Sequence, residues 1–113
     1  MRLKPFADGF PADNVRHHFT GGVYAKELHI PAGFKLVSHS HAYDHLSVLA
    51  SGTVLWQVGD DVPSALNGPC AITVAAGAEH TLHAITDAVW FCIHATDATD
   101  ADQVDAAILQ ETV

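Results

Sequence analysis

The spacing of turn signals restricts the fold of this chain more than any other feature of its sequence. Clusters of glycine with asparagine, aspartate, serine or proline recur at short intervals, for example at residues 31–33, 59–61 and 67–69. The stretches between them are short and rich in Val, Ile, Leu, Thr, Phe and Trp. Short strands separated by turns at intervals of about 8–12 residues predict an all-β sandwich or barrel.

Eight strands are predicted from these runs. They cover residues 15–19, 23–30, 34–38, 45–50, 54–59, 70–74, 81–85 and 88–94. Val54, Trp56 and Val58 alternate with Leu55 and Gln57, which is the period-2 pattern of a half-buried strand. The Ser51-Gly52 pair between two predicted strands favours a tight hairpin at that point.

The last predicted strand has two different faces. Phe91 and Ile93 lie on one of them, and because it is wholly apolar we predict that it belongs to the core. Trp90, Cys92 and His94 lie on the other face. The pattern leaves two roles open for this second face, a pocket wall or a dimer contact.

Length, charge and hydropathy exclude several classes of protein. A chain of 113 residues with 49% apolar and 16% charged residues predicts one folded domain over residues 1–113. The net charge of −8 leaves no basic patch for nucleic acid. The apolar runs are too short for a membrane span, and residues 1–10 lack a signal peptide, so we expect a cytoplasmic protein. The two cysteines, Cys70 and Cys92, are then expected to be reduced.

The C-terminal residues 97–113 differ from the rest of the chain. They contain five acidic residues and no basic one. Val104 and Ile108 are four residues apart, and Asp100 precedes Gln103 at the spacing of a capping box. This pattern predicts one short amphipathic α-helix that packs on the barrel.

Histidine is the residue that stands out, with nine in the chain. His39 and His41 are two residues apart, so a strand would place both imidazoles on one face. His45 follows after a short bend, and His80 lies 35 residues further on. Neutral imidazole is the commonest protein ligand of transition metal ions. The cluster therefore predicts a metal site.

The spacing around these histidines resembles the first motif of the cupin superfamily, G-x5-H-x-H-x3,4-E-x6-G. Residues 33–52 match it from Gly33 to Gly52, with His45 in the place of the glutamate. Residues 68–84 resemble the second cupin motif more loosely. There Gly77 and His80 keep their spacing, while alanine stands at the proline and asparagine positions.

The resemblance implies a single cupin domain with the double-stranded β-helix, or jelly-roll barrel, of that family. With histidine at the glutamate position, the chain is similar to the small four-histidine cupins. The implied metal ligands are His39, His41, His45 and His80, and the implied cofactor is one divalent ion per chain, Mn, Fe, Cu, Ni or Zn. Two alternatives stay open: a three-histidine site with His45 as a neighbour, and barrel histidines that hold no metal.

The leading functional expectation is a dioxygenase-like oxidoreductase that acts on a small organic substrate at this metal site. The alternatives are a metal-dependent small-molecule binding or sensing module without turnover, and a Lewis-acid isomerase or lyase. The sequence indicates no catalytic side chain, because the nearest carboxylates, Asp44 and Glu79, have no partner that would tune them. A small barrel leaves edge strands unpaired, so a homodimer is expected.

The remaining residues around the cluster receive plainer predictions. His83 should face away from His80 and either lie at the surface or pack against neighbours, with support of a ligand as the alternative. Asp44 is either a solvated loop acid or a residue that orients His45, and Tyr43 is expected to pack rather than line a pocket. Three histidines without a partner by spacing are predicted to be structural: His17, His18 and His29.

Overall fold

The computed structural model describes residues 12–38 and 43–96 of the chain. A 3-10 turn at Ala12–Asn14 precedes nine strands, which are β1 (Val15–Thr20), β2 (Val23–Ile30), β3 (Lys35–Ser38), β4 (His45–Ser51), β5 (Thr53–Val58), β6 (Ser64–Asn67), β7 (Cys70–Val74), β8 (His80–Ala84) and β9 (Ala88–Ala95). No helix in these two stretches is long and apolar enough to span a membrane. The predicted helix at 97–113 lies outside the described residues.

The strands form two antiparallel sheets. One has the order β1-β2-β9-β4-β7 and the other the order β3-β8-β5-β6. Successive strands often belong to opposite sheets, as β4 and β5 do, which is the arrangement of a jelly-roll barrel. The all-β jelly-roll prediction is confirmed, whereas a single domain over the whole of residues 1–113 stays a prediction.

The sequence missed one strand, β6. Its residues, Ser64–Asn67, include serine, alanine and asparagine, which have low β propensity, and Pro63 comes directly before them. The strand forms because it pairs with β5 along Val54↔Leu66 and Leu55↔Ala65. Tertiary pairing therefore overrides a weak local preference in this segment.

The hairpin predicted at Ser51-Gly52 is wrong. Strand β4 pairs with β7 and β9, and β5 pairs with β6 and β8, so the chain crosses from one sheet to the other at Gly52. The crossing is held by backbone hydrogen bonds. The amide of Gly68 donates to the carbonyl of Gly52 at 2.9 Å, and that of Ile85 donates to the carbonyl of Thr53 at 2.9 Å.

The core fills one end of the barrel, between the inner faces of the two sheets. Its buried members are Leu28, Ile30, Leu36, Leu49, Val54, Leu82, Ala84, Ala88 and Trp90. Trp90 stacks on Trp56 of the opposite sheet, with 5.4 Å between ring centroids. This apolar end leaves the inner faces at the other end for polar side chains.

The prediction for the two faces of β9 is also wrong. Trp90 and His94 are each only 3% exposed and point inward, while Phe91 and Ile93 are half-buried on the outer face. Ile93 lies opposite Leu46 on β4, so the apolar outer residues pack against each other across the strands. The mixed face is therefore the inner one.

Candidate metal centre

Two rows of side chains cross the inner face of the five-stranded sheet at its polar end. We call them the histidine row, which consists of Phe19, Tyr24, His94, His45 and Val74, and the lysine row, which consists of His17, Lys26, Cys92, Ser47 and Ile72. The lysine row lies between the histidine row and the apolar core. Polar groups thus concentrate where the barrel interior is not filled by aliphatic side chains.

His45 is the first residue of β4 and is 7% exposed. It shares the inward face with Ser47 and Leu49, both fully buried. Its ring stacks on that of His94 with 4.2 Å between centroids, and its Nε2 lies 3.4 Å from the hydroxyl of Ser47. The strand therefore holds this predicted ligand inside the barrel in a defined orientation.

His80 is the first residue of β8, in the opposite sheet, and is 2% exposed. Its ring stacks on Trp56 with 5.0 Å between centroids. Burial lowers the pKa of His80, because the charged imidazolium loses its hydration. The neutral ring that burial favours is the form with a free lone pair for a metal ion.

His39 and His41 lie outside the described residues, but the strands on either side define where their segment begins and ends. Ser38, directly before His39, pairs with His80 in the register of β3 and β8. The segment then enters β4 at His45. His80 thus lies opposite the last residue of the strand that precedes His39, and His45 is the first residue of the strand that follows His41.

The donor set fits a transition metal ion. His45 and His80 are buried imidazoles from opposite sheets, and no aspartate or glutamate is buried among the described residues. Imidazole nitrogen suits Fe, Cu, Ni and Zn, whereas Ca²⁺ and Mg²⁺ need oxygen ligands. Residues 12–38 and 43–96 contain no group of three or more possible ligands by themselves, and that range excludes His39 and His41.

His94 lies beside the candidate site, although the sequence did not single it out. It is buried at 3% and touches both His45 and Tyr43, whose ring meets it edge-on at 6.2 Å. His94 is four residues after Trp90 on the same strand, which indicated that the two side chains share a face. The spacing did not show that this face was the inner one. Of the two roles left open, the structure places the residue in the wall of the barrel interior.

The residues of the loop before β4 pack as follows. Tyr43 packs against Tyr24 and His94, and burial raises the pKa of its hydroxyl. Asp44 is exposed, and its carboxylate accepts a hydrogen bond of 2.8 Å from the backbone amide of Ala76. This bond ties the start of β4 to the turn between β7 and β8, close to His80.

The other histidines have contacts of their own. His83 lies half-buried on the outer face of β8, as its spacing from His80 predicts. His17 and the hydroxyl of Tyr24 are hydrogen-bonded at 2.7 Å. His18 and His29 both contact the carboxylate of Glu27, at 2.8 Å and 2.5 Å. These contacts agree with a structural role for His17, His18 and His29.

The Glu27 contacts predict a small pH-dependent stability. Hydrogen bonds from His29 and then His18 lower the pKa of Glu27, so the folded state favours its carboxylate form. Glu27→Gln should therefore reduce the free energy of unfolding at pH 7, by less than about 1 kcal/mol because the side chains of His18 and His29 are 51% and 43% exposed. The difference should vanish as the pH falls through the lowered pKa. Urea unfolding across pH measures it, with Glu79→Gln as an exposed-acid control. A loss that is constant with pH would contradict the assignment.

The two facing antiparallel sheets, with buried histidines at one end, define a double-stranded β-helix with a histidine-lined interior. No family model and no curated protein matches the sequence. Solved structures do match. A cupin-2 domain protein from Shewanella frigidimarina has a TM-score of 0.60 and 16% identity, over 72% of this chain and 78% of that one. A cupin superfamily protein from Desulfitobacterium hafniense has a TM-score of 0.62 and 16% identity, over 86% and 100%.

An enzyme also shares this architecture. The salicylate 1,2-dioxygenase of Pseudoaminobacter salicylatoxidans, solved with gentisate adducts, has a TM-score of 0.64 and 10% identity, over 72% of this chain and 24% of that one. Identities this low show the fold and not the activity. The chain has the cupin fold, so the resemblance that its histidine spacing suggested is confirmed at the level of the fold.

Proposed function

We propose that this protein is a metal-dependent cupin that binds one divalent transition metal ion through His39, His41, His45 and His80. We further propose that it acts at this site as a dioxygenase-like oxidoreductase on a small organic substrate. The observation that supports the site is the placement of His45 and His80. Each is buried, each faces the barrel interior, and together they flank the segment that carries His39 and His41.

The chain itself supplies a rigid, water-poor setting for such an ion. His80 is held by its stack on Trp56, and His45 by its stack on His94 and its approach to Ser47. Four neutral imidazoles would leave the charge of a divalent ion uncompensated, and a bound ion would supply Lewis acidity and, for Fe, Mn or Cu, redox chemistry. A salicylate 1,2-dioxygenase contains a domain of the same fold, which supports the choice of a dioxygenase-like activity in this proposal.

Loading with different metals distinguishes this function from its alternatives. Chelated protein reloaded with Fe²⁺, Mn²⁺, Cu²⁺ or Zn²⁺ should bind about one ion per chain, and oxygen uptake with a panel of small organic acids and phenols should occur only with a redox-active ion. An electrode records the uptake, and His80→Phe serves as the inactive control. Binding restricted to zinc, without oxygen uptake, would contradict the oxidoreductase and favour a binding module or a Lewis-acid enzyme.

A further inference from the structure

We propose that two copies of this chain associate through β7, the edge strand of the five-stranded sheet, and so join their two sheets into one across a two-fold axis. The sequence alone leads only to the expectation of a homodimer. The structure points to a particular surface and to a particular register. The inference does not depend on the metal site, so it can be tested on chelated protein.

Strand β7 has an open edge within the described part of the chain. It pairs with β4 in unbroken register, from His45↔Val74 to Leu49↔Cys70. No strand from residues 12–38 or 43–96 lies on its other side. Backbone amide and carbonyl groups along this edge can therefore pair with another strand.

The other three edge strands have features that usually prevent such pairing. Strand β1 carries Arg16 and two histidines. Strand β3 has four residues and begins with Lys35, and β6 also has four residues and directly follows Pro63. Charges, proline and short length are common means of protecting a sheet edge. The five residues of β7 include neither a charge nor a proline.

The surface around β7 is uncharged as well. Residues 62–78, which we call the uncharged side, contain none of the chain's 13 acidic, 5 basic or 9 histidine residues. They include β6 and β7, the edges of the two sheets, which the short turn at Gly68-Pro69 connects. Most of these residues are exposed, and Val62 is 86% exposed. Charged residues are common on protein surfaces and depleted at the centre of interfaces, so the uncharged side has the composition of an interface.

The charge of the chain favours a second copy as the partner. With a net charge of −8, two copies repel each other wherever their acidic surfaces meet. The repulsion is weakest where the surface carries no charge. A basic protein would instead be attracted to the acidic surfaces, and it would find no opposite charge on the uncharged side.

Symmetry restricts the register of the pair. Dimers of identical chains are usually two-fold symmetric, and directly opposite residues on antiparallel strands point to the same face of the sheet. One residue of β7 must therefore lie opposite its own copy. With Ile72 in that position all five residues are paired, and Ala71 lies opposite the partner's Thr73. Ala71 and Thr73 are both exposed, so substitutions there leave the barrel interior unchanged.

The test introduces charges at these two positions. The lysine variant is Ala71→Lys/Thr73→Lys, and the glutamate variant is Ala71→Glu/Thr73→Glu. Leu46→Lys is the control, because Leu46 is 45% exposed and lies opposite Thr73 on β4, one strand away from the edge. Sedimentation velocity of the full chain after chelation measures the dissociation constant of the dimer, and far-UV circular dichroism checks the fold. The added lysines bring the net charge closer to zero, so a weaker dimer could not result from greater overall repulsion.

Wild type and Leu46→Lys should form dimers with similar dissociation constants. The dissociation constants of the lysine and glutamate variants should each be higher by about tenfold or more, because like charges lie directly opposite each other and the two-fold axis repeats the pair. Mixing the two variants should restore association, since each introduced lysine then lies opposite an introduced glutamate.

Several results would overturn the inference. Wild type that stays monomeric at about 1 mM has no such interface. Equal dissociation constants in wild type and in both charged variants would remove β7 from the interface, and a mixture that associates no better than its components would contradict the antiparallel register. A loss in Leu46→Lys as large as in the lysine variant would place the interface on the outer face of the sheet instead of its edge.

Discussion

Replacing His80 with alanine should abolish metal binding while the barrel stays folded. Substitution of residues that merely support a metal ligand already costs about 10–100-fold in affinity, so loss of a ligand should cost more than about 100-fold. Elemental analysis after dialysis against limiting Fe²⁺ or Mn²⁺ measures the metal content. Far-UV circular dichroism checks the fold. Metal content equal to that of wild type would contradict the assignment of His80 as the remote ligand.

Two further variants separate ligation from packing. His80→Phe keeps a ring that can stack on Trp56, as His80 does at 5.0 Å, but it removes both nitrogen donors. It should lose metal as His80→Ala does and should be the more stable of the two, because alanine leaves a cavity. His83→Ala removes a histidine from the outer face of the same strand and should keep the metal content of wild type. Metal loss in His83→Ala would indicate a general effect on β8.

Most of the strands could be predicted from the sequence because their signals are local. Turn clusters end each apolar run, and eight of the nine strands found in residues 12–38 and 43–96 overlap such runs. The exception, β6, has almost no local signal and depends on its partner β5. Propensity therefore predicts strands wherever turn residues bound an apolar run, and it fails where pairing alone decides.

Which residues face the interior was harder to predict. His45 and His80 could be chosen because their spacing follows a motif, and both are buried. His94 has no motif around it, and the choice between the two faces of β9 depends on register with β2 and β4. A shift of one residue exchanges the faces of a strand, and no local feature determines that register. An inward-facing row of residues is usually recognised by its apolar side chains. In the polar half of this barrel the inner face is not purely apolar, so that signal is missing.

The turn at Gly52 shows a similar limit. A serine-glycine pair between two strands is compatible with a hairpin within one sheet and with a crossing between two sheets. The choice depends on contacts with residues far along the chain. Here the chain at Gly52 passes close to Asp87 and to Ala88, the first residue of β9. The sequence therefore correctly predicted a turn at Ser51-Gly52, but it wrongly predicted that the chain stays within one sheet there.

Because of this close approach, a methyl group added at Gly52 should strongly destabilise the fold. Its φ of +94° lies in a region that L-residues avoid. A Cβ there would meet the backbone oxygen of Asp87 and would lie 2.8 Å from the Cα of Ala88, and neither atom can move without displacing β9. Gly52→Ala should therefore lower the free energy of unfolding by more than about 3 kcal/mol.

Gly33 provides the matched control, because it has nearly the same φ and none of the crowding. Its φ is +93°, and nothing lies within 4 Å of a Cβ built on it. Gly33→Ala should thus cost only the conformational strain, about 1–2 kcal/mol. Urea unfolding of both variants, without metal, gives the difference between them as the cost of the contact with Asp87 and Ala88. Equal losses in the two variants would mean that the chain does not pass so close to β9 at Gly52, and that the crossing between the sheets is built differently.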